Sequence, residues 1–322
     1  MSRILAGLTI FLLGTIVLGL LGSSFLISSD LLRSDLIDKY RSETSFFYRL
    51  PSGAEAHIRD EGDRDGPPLI LIHGSNASLH TWEPWVKELG DSYRLISIDL
   101  PGHGLTGVTL EDDYTIDAMA RFIKEIVDLF ALDKVTLAGN SMGGNVALKF
   151  ALDHPKHVTA LVLVSSGGMQ RDAEDEPVGA FKLASNPNIR GLMRYVTPRF
   201  IIGSTLRASV YAPDGFVTDE MVTRYWELLR MTGSRDASIK RFAAYATRGP
   251  LEPLLPTINA PALILWGVHD RIIPVKQGIR MSTVLRNSNI KIYNDAGHLA
   301  HEEIPEETAA DVRAFLNTIN AR

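Results

Sequence analysis

The sequence predicts an α/β protein: a doubly wound, mostly parallel sheet carrying a helical cap insertion. Three observations predict it. Apolar, β-rich runs bounded by turn residues recur along the chain (FFYRL, AEAHIRDEG, PLILIH, YRLISID, KVTLAG, ALVLVSS, PALILWG and IKIYND). Several are continuous rather than alternating, as strands covered by helices on both faces require. Helical patterns separate them, most clearly YTIDAMARFIKEIVDLFAL, where Ile116, Met119, Phe122, Ile123, Ile126, Val127 and Phe130 recur at three- and four-residue steps behind Thr115 as N-cap. Between Gly168 and about Gly249 the alternation stops, and NIRGLMRYV, TDEMVTRYWELLRM and DASIKRFAAYA read as short helices without buried strands. In doubly wound sheets chemistry collects in the loops beyond the carboxyl ends of the strands.

From the N-terminus, Arg3 precedes ILAGLTIFLLGTIVLGLLG, an uncharged run that continues to Ile27. At roughly 1.5 Å per residue, about 19 such residues span about 29 Å, close to the thickness of a bilayer's hydrocarbon core. The expectation is a single-pass transmembrane anchor over 1–27, a membrane location and the lipid bilayer as a partner. A cleaved signal peptide is the alternative, with Gly22, Ser23 and Ser24 as small residues, although its apolar region is usually about 7–15 residues. Arg3 before the run and Arg33, Lys39 and Arg41 after it leave the membrane side of the remainder open. The polar stretch 28–45 reads as a linker or short helix, and 46–322 as the globular domain, with the cap at about 168–249. A net charge of -5 supplies no basic field for phosphate backbones, so nucleic acid is not an expected partner. The absence of cysteine excludes disulfides, a cysteine nucleophile, iron–sulfur clusters and thiolate zinc sites. Nothing in the sequence sets an oligomeric state.

GNSMGG, Gly139 to Gly144, follows KVTLAG directly and leads into the helical pattern GGNVALKFALDHP. A strand-to-helix turn this sharp leaves no room for side chains beside the serine, which is why G-x-S-x-G places Gly139 and Gly143 there. Ser141 is thereby set above the sheet at a helix N-terminus, where developing negative charge is favoured. A serine hydroxyl is a weak nucleophile and needs a base and a group to orient that base. His298, in DAGHLAHEEIP, follows the last expected strand, and Asp270, in LILWGVHDRIIP, follows the preceding one, so both fall at strand carboxyl ends in the order Ser, Asp, His. Asp295 and Asp99 are the competing acids, but Asp295 shares the base's own loop and Asp99 follows a different strand. An oxyanion needs two backbone N–H donors. Met142, directly after the serine, supplies one; Ser75, in LIHGSNAS, is assigned the other, with Gly74 allowing close backbone approach and Asn76 orienting the loop. His73 reads as a structural loop histidine.

IHGSNAS, IDLPGHGLT, AGNSMGG, LWGVHDRIIP and DAGHLAHEE resemble the successive motifs of the α/β-hydrolase superfamily, from about Phe46 to the C-terminus. The resemblance implies a helical cap over the site and no cofactor. Members acting on epoxides and haloalkanes place aspartate where Ser141 stands, so it points instead to serine esterases and lipases, and to carbon–carbon hydrolases of ring-fission dienones. The leading expectation is hydrolysis of a small-molecule carboxylic ester, lipid-like or aryl, through an acyl-enzyme on Ser141. Dienone hydrolases often carry an aromatic after the catalytic histidine, where this chain has Leu299, and a cap arginine for the substrate carboxylate, for which Arg190 and Arg194 are candidates. A non-catalytic ligand-binding use of the fold is the third reading. His298, His301 and Glu302 form an H-x-x-H-E cluster, but His298 is committed elsewhere and no third ligand suggests itself, so no metal is expected. Phe181, Met193, Tyr195, Phe200, Tyr211 and Trp226 are cap residues that could line an acyl pocket.

Overall fold

The computed structural model describes residues 28–247 and 249–320. Eight strands form one sheet in the order β1-β2-β4-β3-β5-β6-β7-β8. These are β1 (Ser45–Arg49), β2 (Glu55–Gly62), β3 (Pro68–Ile72), β4 (Arg94–Ile98), β5 (Val135–Asn140), β6 (Val158–Val164), β7 (Ala262–Gly267) and β8 (Ser288–Tyr293). β2 runs antiparallel to both neighbours, and every pairing from β4 to β8 is parallel. The eight apolar runs read from the sequence are these eight strands.

The continuous apolar runs arise because both faces of the sheet are covered. Along β3, Ile70 and Ile72 face a core shared with α3 (Ile116–Leu129), α4 (Met142–Asp153) and α9 (Val275–Val284). Leu69 and Leu71 face the opposite core, built with Trp85 and Leu89 of α2 (Glu83–Leu89) and Val312, Phe315 and Leu316 of α11 (Pro305–Asn320). Each fully buried aliphatic side chain contributes about 1.5–3 kcal/mol. Thr115 caps α3 as its sequence position predicts, its Oγ1 accepting the Ala118 N–H at 3.1 Å. In register, Ile72 lies opposite Gly139, Gly139 opposite Leu163, and Val164 opposite Leu265. The carboxyl ends of β3, β5, β6 and β7 therefore open onto one rim, and the loops that follow them meet there.

Between β6 and β7 the chain makes α5 (Gly179–Ser185), α6 (Arg199–Ser209), α7 (Asp219–Leu229) and α8 (Ser234–Thr247). Residues 28–40, including α1 (Arg33–Tyr40), pack against these helices. Leu31 bridges to Met231, Asp30 pairs with Arg235 at 2.5 Å, and Lys39 and Tyr40 both donate to Glu227 at 2.6 Å. Two charges of this stretch, Asp30 and Lys39, thus have partners on the cap, while Arg33 pairs with Glu55 of β2 at 2.5 Å.

The membrane location and bilayer partner expected from the apolar run require correction. No helix among the described residues is long and apolar enough to cross a membrane. The longest, α11 at 16 residues, spans only about 24 Å. The expected anchor, 1–27, lies outside the described residues.

Candidate active site

β5 ends at Asn140 and α4 begins at Met142, leaving Ser141 to make the turn alone. It does so at φ 54°, ψ -114°, a left-handed backbone that costs a non-glycine residue about 1–3 kcal/mol and persists only where surroundings over-determine it. Here they do. The Ser141 N–H donates to the Val164 carbonyl at 3.0 Å, and its own carbonyl accepts from Gly167 at 2.8 Å. A Cβ on Gly139 would strike the Gly143 backbone, one on Gly143 the Ile72 and His73 carbonyls, and one on Gly144 the Ser166 hydroxyl. The tightness extends one glycine beyond the pentapeptide. A Cβ on Gly74 would lie 2.7 Å from Asn140 Oδ1 and 3.2 Å from Ser141 Cβ, so its absence lets the β3 loop close onto the serine.

His298 Nδ1 and Asp270 Oδ2 are 2.8 Å apart and both residues are buried. Asp270 Oδ1 accepts the N–H groups of Ile272 and Ile273, each at 2.8 Å, so the carboxylate is fixed at both ends. With Nδ1–H facing the carboxylate, Nε2 is the basic nitrogen left for the chamber. The His298 N–H donates to the Ser209 carbonyl at the end of α6, 2.7 Å away, which ties the loop to the cap. Asn140 Nδ2 donates to the carbonyls of Val164 and His298 at 3.2 and 3.1 Å, a bracing role that the sequence reading did not assign. Ser141 and His298 line one chamber of about 60 Å³, and no hydrogen bond joins their side chains among the described residues. Apo catalytic contacts often tighten only with substrate bound.

The competing acids lie elsewhere. Asp99 is sealed beneath the rim, accepting the N–H groups of Leu79 and Leu105 at 2.8 Å and lying 2.6 Å from His57 Nδ1. Asp295 is exposed. His73 donates from Nδ1 to the Gly74 carbonyl at 2.7 Å and accepts the Leu100 N–H at Nε2, 3.0 Å away. Both its nitrogens are used, and burial lowers its pKa.

Two lobes meet at Ser141. The 60 Å³ chamber is walled by Ala180, Phe181, Ile202, Leu206, Tyr225 and Leu299 and is apolar. The second, of about 170 Å³, holds Ser75 and Met142 beside the serine, with Arg241, Phe242 and Tyr245 from α8. Arg241 is 3% exposed. Its Nη2 donates to Ser75 Oγ at 3.1 Å, Asn76 Oδ1 at 2.6 Å and Ser238 Oγ at 3.1 Å, while Nη1 is buried without a partner. Among the described residues no carboxylate pairs with it, and burial pushes its pKa down to about 9. Arg190 and Arg194 line neither lobe; Arg194 pairs with Asp236. Arg241 was not singled out in the sequence because a Lys-Arg pair on a short helix reads as solvated. The available signal was its spacing from Ala237 and Ser238, which share its buried face. Of the six cap residues proposed from sequence, only Phe181 lines either lobe; Tyr211 stacks on His269 at 4.3 Å, and Trp226 donates to the Thr197 carbonyl at 2.7 Å.

The H-x-x-H-E residues diverge. His301 turns away from His298, with Nε2 2.8 Å from Thr81 Oγ1 and its ring 4.4 Å from Trp82. Glu302 is hydrogen-bonded to the same Thr81 hydroxyl. Burial pushes the Glu302 carboxyl up to about 7 and the His301 imidazole down to about 3. The folded chain thus keeps the Glu302 proton where the unfolded chain has lost it. The stability this contributes is fully present below the ordinary carboxyl pKa of 4.5 and is lost as pH rises through about 7. Glu302→Gln is therefore expected to gain roughly 2–3 kcal/mol over wild type on going from pH 4 to pH 8, measured by denaturant melts at both values. An unchanged difference would place the carboxyl in contact with water.

Residues 67–305 match the family model of the alpha/beta hydrolase fold. A 2-hydroxy-6-oxononadienedioate/2-hydroxy-6-oxononatrienedioate hydrolase of Klebsiella pneumoniae is 29% identical over 285 residues, 85% of this chain and 96% of that protein. Among solved structures, an esterase from Thermogutta terrifontis superposes with a TM-score of 0.72 at 25% identity, covering 85% of this chain and 98% of its own. A membrane phospholipase A described as a bacterial virulence factor superposes with a TM-score of 0.75 at 25% identity, covering 100% of both chains. The relatives divide between carbon–carbon and ester chemistry while sharing one architecture. The matched region spans well over half the sequence and contains the serine turn, the Asp270–His298 pair and the cap, so this chain belongs to the α/β-hydrolase fold family.

Proposed function

We propose that the chain is a serine-dependent hydrolase of acyl substrates that carry an anionic group, with carbon–carbon cleavage of 2-hydroxy-6-oxodienoate acids as its first reading. The observation that carries it is Arg241. A buried guanidinium with a free Nη1 and no carboxylate partner is costly to maintain. A substrate anion entering the lobe shared with Ser141 would complete it, and the dienoate hydrolases among the relatives act on such acids.

In this reading the dienol first ketonises, its proton moving from the 2-hydroxyl to C5. His298 takes the Ser141 proton as Oγ attacks the C6 carbonyl, and the Ser75 and Met142 N–H groups receive the oxyanion. The C5–C6 bond breaks, its electron pair delocalises to the C2 oxygen, and the dienolate takes the proton held on His298, which frees the imidazole to act as a base again. Water, deprotonated by His298, then releases the acid from Ser141.

Ester hydrolysis by the same residues is the second reading, and one observation favours it. Leu299 follows His298 where dienone hydrolases often carry an aromatic, and with Ile202 and Leu206 it walls an apolar lobe suited to an acyl chain. The esterase and phospholipase likenesses agree with it.

The deciding assay compares kcat/KM for a 2-hydroxy-6-oxodienoate acid with that for neutral aryl esters, in wild type and Arg241→Gln. The first reading expects the dienoate to be the better substrate. It also expects Arg241→Gln to lower the dienoate-to-ester ratio about 10- to 100-fold, mainly through KM, since hydrogen bonds to charged groups contribute about 1.5–3 kcal/mol. Efficient ester turnover with no dienoate cleavage would replace the first reading by the second; a ratio indifferent to Arg241 would remove the anion from both.

A further inference from the structure

Residues 74–77 close a turn in which the Ala77 N–H donates to the Gly74 carbonyl at 3.3 Å. Its third residue, Asn76, stands at φ 60°, a left-handed backbone that asparagine enters more readily than most side chains. Ser75 is the second residue of the same turn, so the direction of its N–H follows from how the turn is closed. Asn76 Oδ1 accepts from two side chains of α8, Ser238 Oγ at 3.2 Å and Arg241 Nη2 at 2.6 Å. Arg241 Nη2 also donates to Ser238 Oγ, so the two donors brace each other, and both residues are buried. Ser238 borders neither lobe of the site.

α8 is itself held at a distance from Ser141. In its first turn, Arg235 donates from Nε and Nη2 to Asp30 Oδ1 at 3.1 and 2.5 Å. One turn before Arg241, Ala237 packs on the loop after β4, where a Cβ on Gly102 would come within 2.8 Å of the Ala237 Cβ. The helix is thus seated on the body of the protein by contacts that owe nothing to the serine.

Resting on Ser75 and Met142 as the oxyanion donors, we propose that α8 clamps the oxyanion loop: Ser238 and Arg241 pin Asn76 in its left-handed conformation, so the cap helps to build the oxyanion hole as well as to cover it. Ser238 and Asn76 are positioning residues in this arrangement. Lifting α8 off the rim releases the loop, which ties catalytic competence to a seated cap.

The rate at which an uncharged alkyl fluorophosphonate labels Ser141 tests this on the full-length chain. In that reaction Ser141 Oγ bonds to phosphorus, fluoride leaves and His298 takes the proton, while the phosphoryl oxygen draws on the same two N–H groups whatever the natural substrate is. Asn76→Ala is expected to slow labelling about 10- to 100-fold, since alanine loses both bonds and is ill suited to φ 60°. Asn76→Gly also loses the bonds but accepts that backbone, and should label several-fold faster than Asn76→Ala. Ser238→Ala should slow the wild type several-fold and leave Asn76→Gly unchanged, because its effect passes through the Asn76 side chain. Equal rates in the alanine and glycine variants overturn the role of the left-handed backbone. A Ser238→Ala loss that persists in Asn76→Gly overturns the clamp, as do wild-type rates in all the variants, and both leave the serine reaction standing. A wild type that does not label removes the serine reaction and the clamp together.

Discussion

Ser141→Ala is expected to lower kcat by about 10⁴-fold or more on every substrate the wild type turns over, because in the proposed mechanism it removes the nucleophile and leaves only binding and oxyanion stabilisation. The expectation is sharp because the substitution is structurally quiet. The Ser141 hydroxyl makes no hydrogen bond among the described residues, while the backbone contacts that fix the turn, to Val164 and Gly167, involve its N–H and carbonyl. Alanine keeps those contacts and meets the same penalty at φ 54° as serine. Melting temperature should therefore move little while turnover disappears. Ser141→Gly separates strain from chemistry: it should be equally inactive yet more stable by up to about 1–3 kcal/mol, since glycine tolerates this backbone. Measured kcat within tenfold of wild type in either variant would remove Ser141 from the reaction. A wild type inert toward dienoates and esters alike, with Ser141 unreactive to fluorophosphonates, would return the chain to the ligand-binding reading.

The contrast between Ser141 and Arg241 marks how far the sequence reaches. Strands such as PLILI are legible because burial on both faces forces an unbroken apolar run, and strand ends locate the loops where side chains converge. Ser141 directly follows β5, and Asp270 and His298 lie in the loops that follow β7 and β8, so position along the chain encodes position in space. Cap residues have no such code. Arg241 meets Ser75 and Asn76 across 166 and 165 residues, through a helix packing that no local period specifies. The polar stretch before β1, read as a linker or short helix, shows the same gap: nothing in its sequence names the partners that Asp30, Lys39 and Arg33 find in Arg235, Glu227 and Glu55. Composition records that a residue is charged, not what stands opposite it.

Asp270→Asn should cost nearly as much as the loss of the serine, about 10⁴-fold in kcat, though it changes one atom and keeps the volume. The reason lies in the two backbone donors behind the carboxylate. Ile272 and Ile273 both direct N–H groups at Oδ1, so an amide at this position must keep its oxygen there and turn its NH₂ toward His298. Facing a donor instead of an acceptor, His298 Nδ1 must give up its hydrogen, and the single proton of the neutral ring moves to Nε2. The nitrogen turned toward the chamber then carries a proton and cannot accept one from Ser141. Binding lobes and fold are untouched, so KM and melting temperature should stay close to wild type, and the loss should appear in kcat. Asp99→Asn is the counter-experiment: that carboxylate serves the Leu79 and Leu105 N–H groups and His57 beneath the rim, so its loss should register in stability before activity. Were Asp270→Asn to retain kcat within tenfold, the carboxylate would not be what sets the imidazole's tautomer, and the assignment of His298 as the base would lose its physical footing.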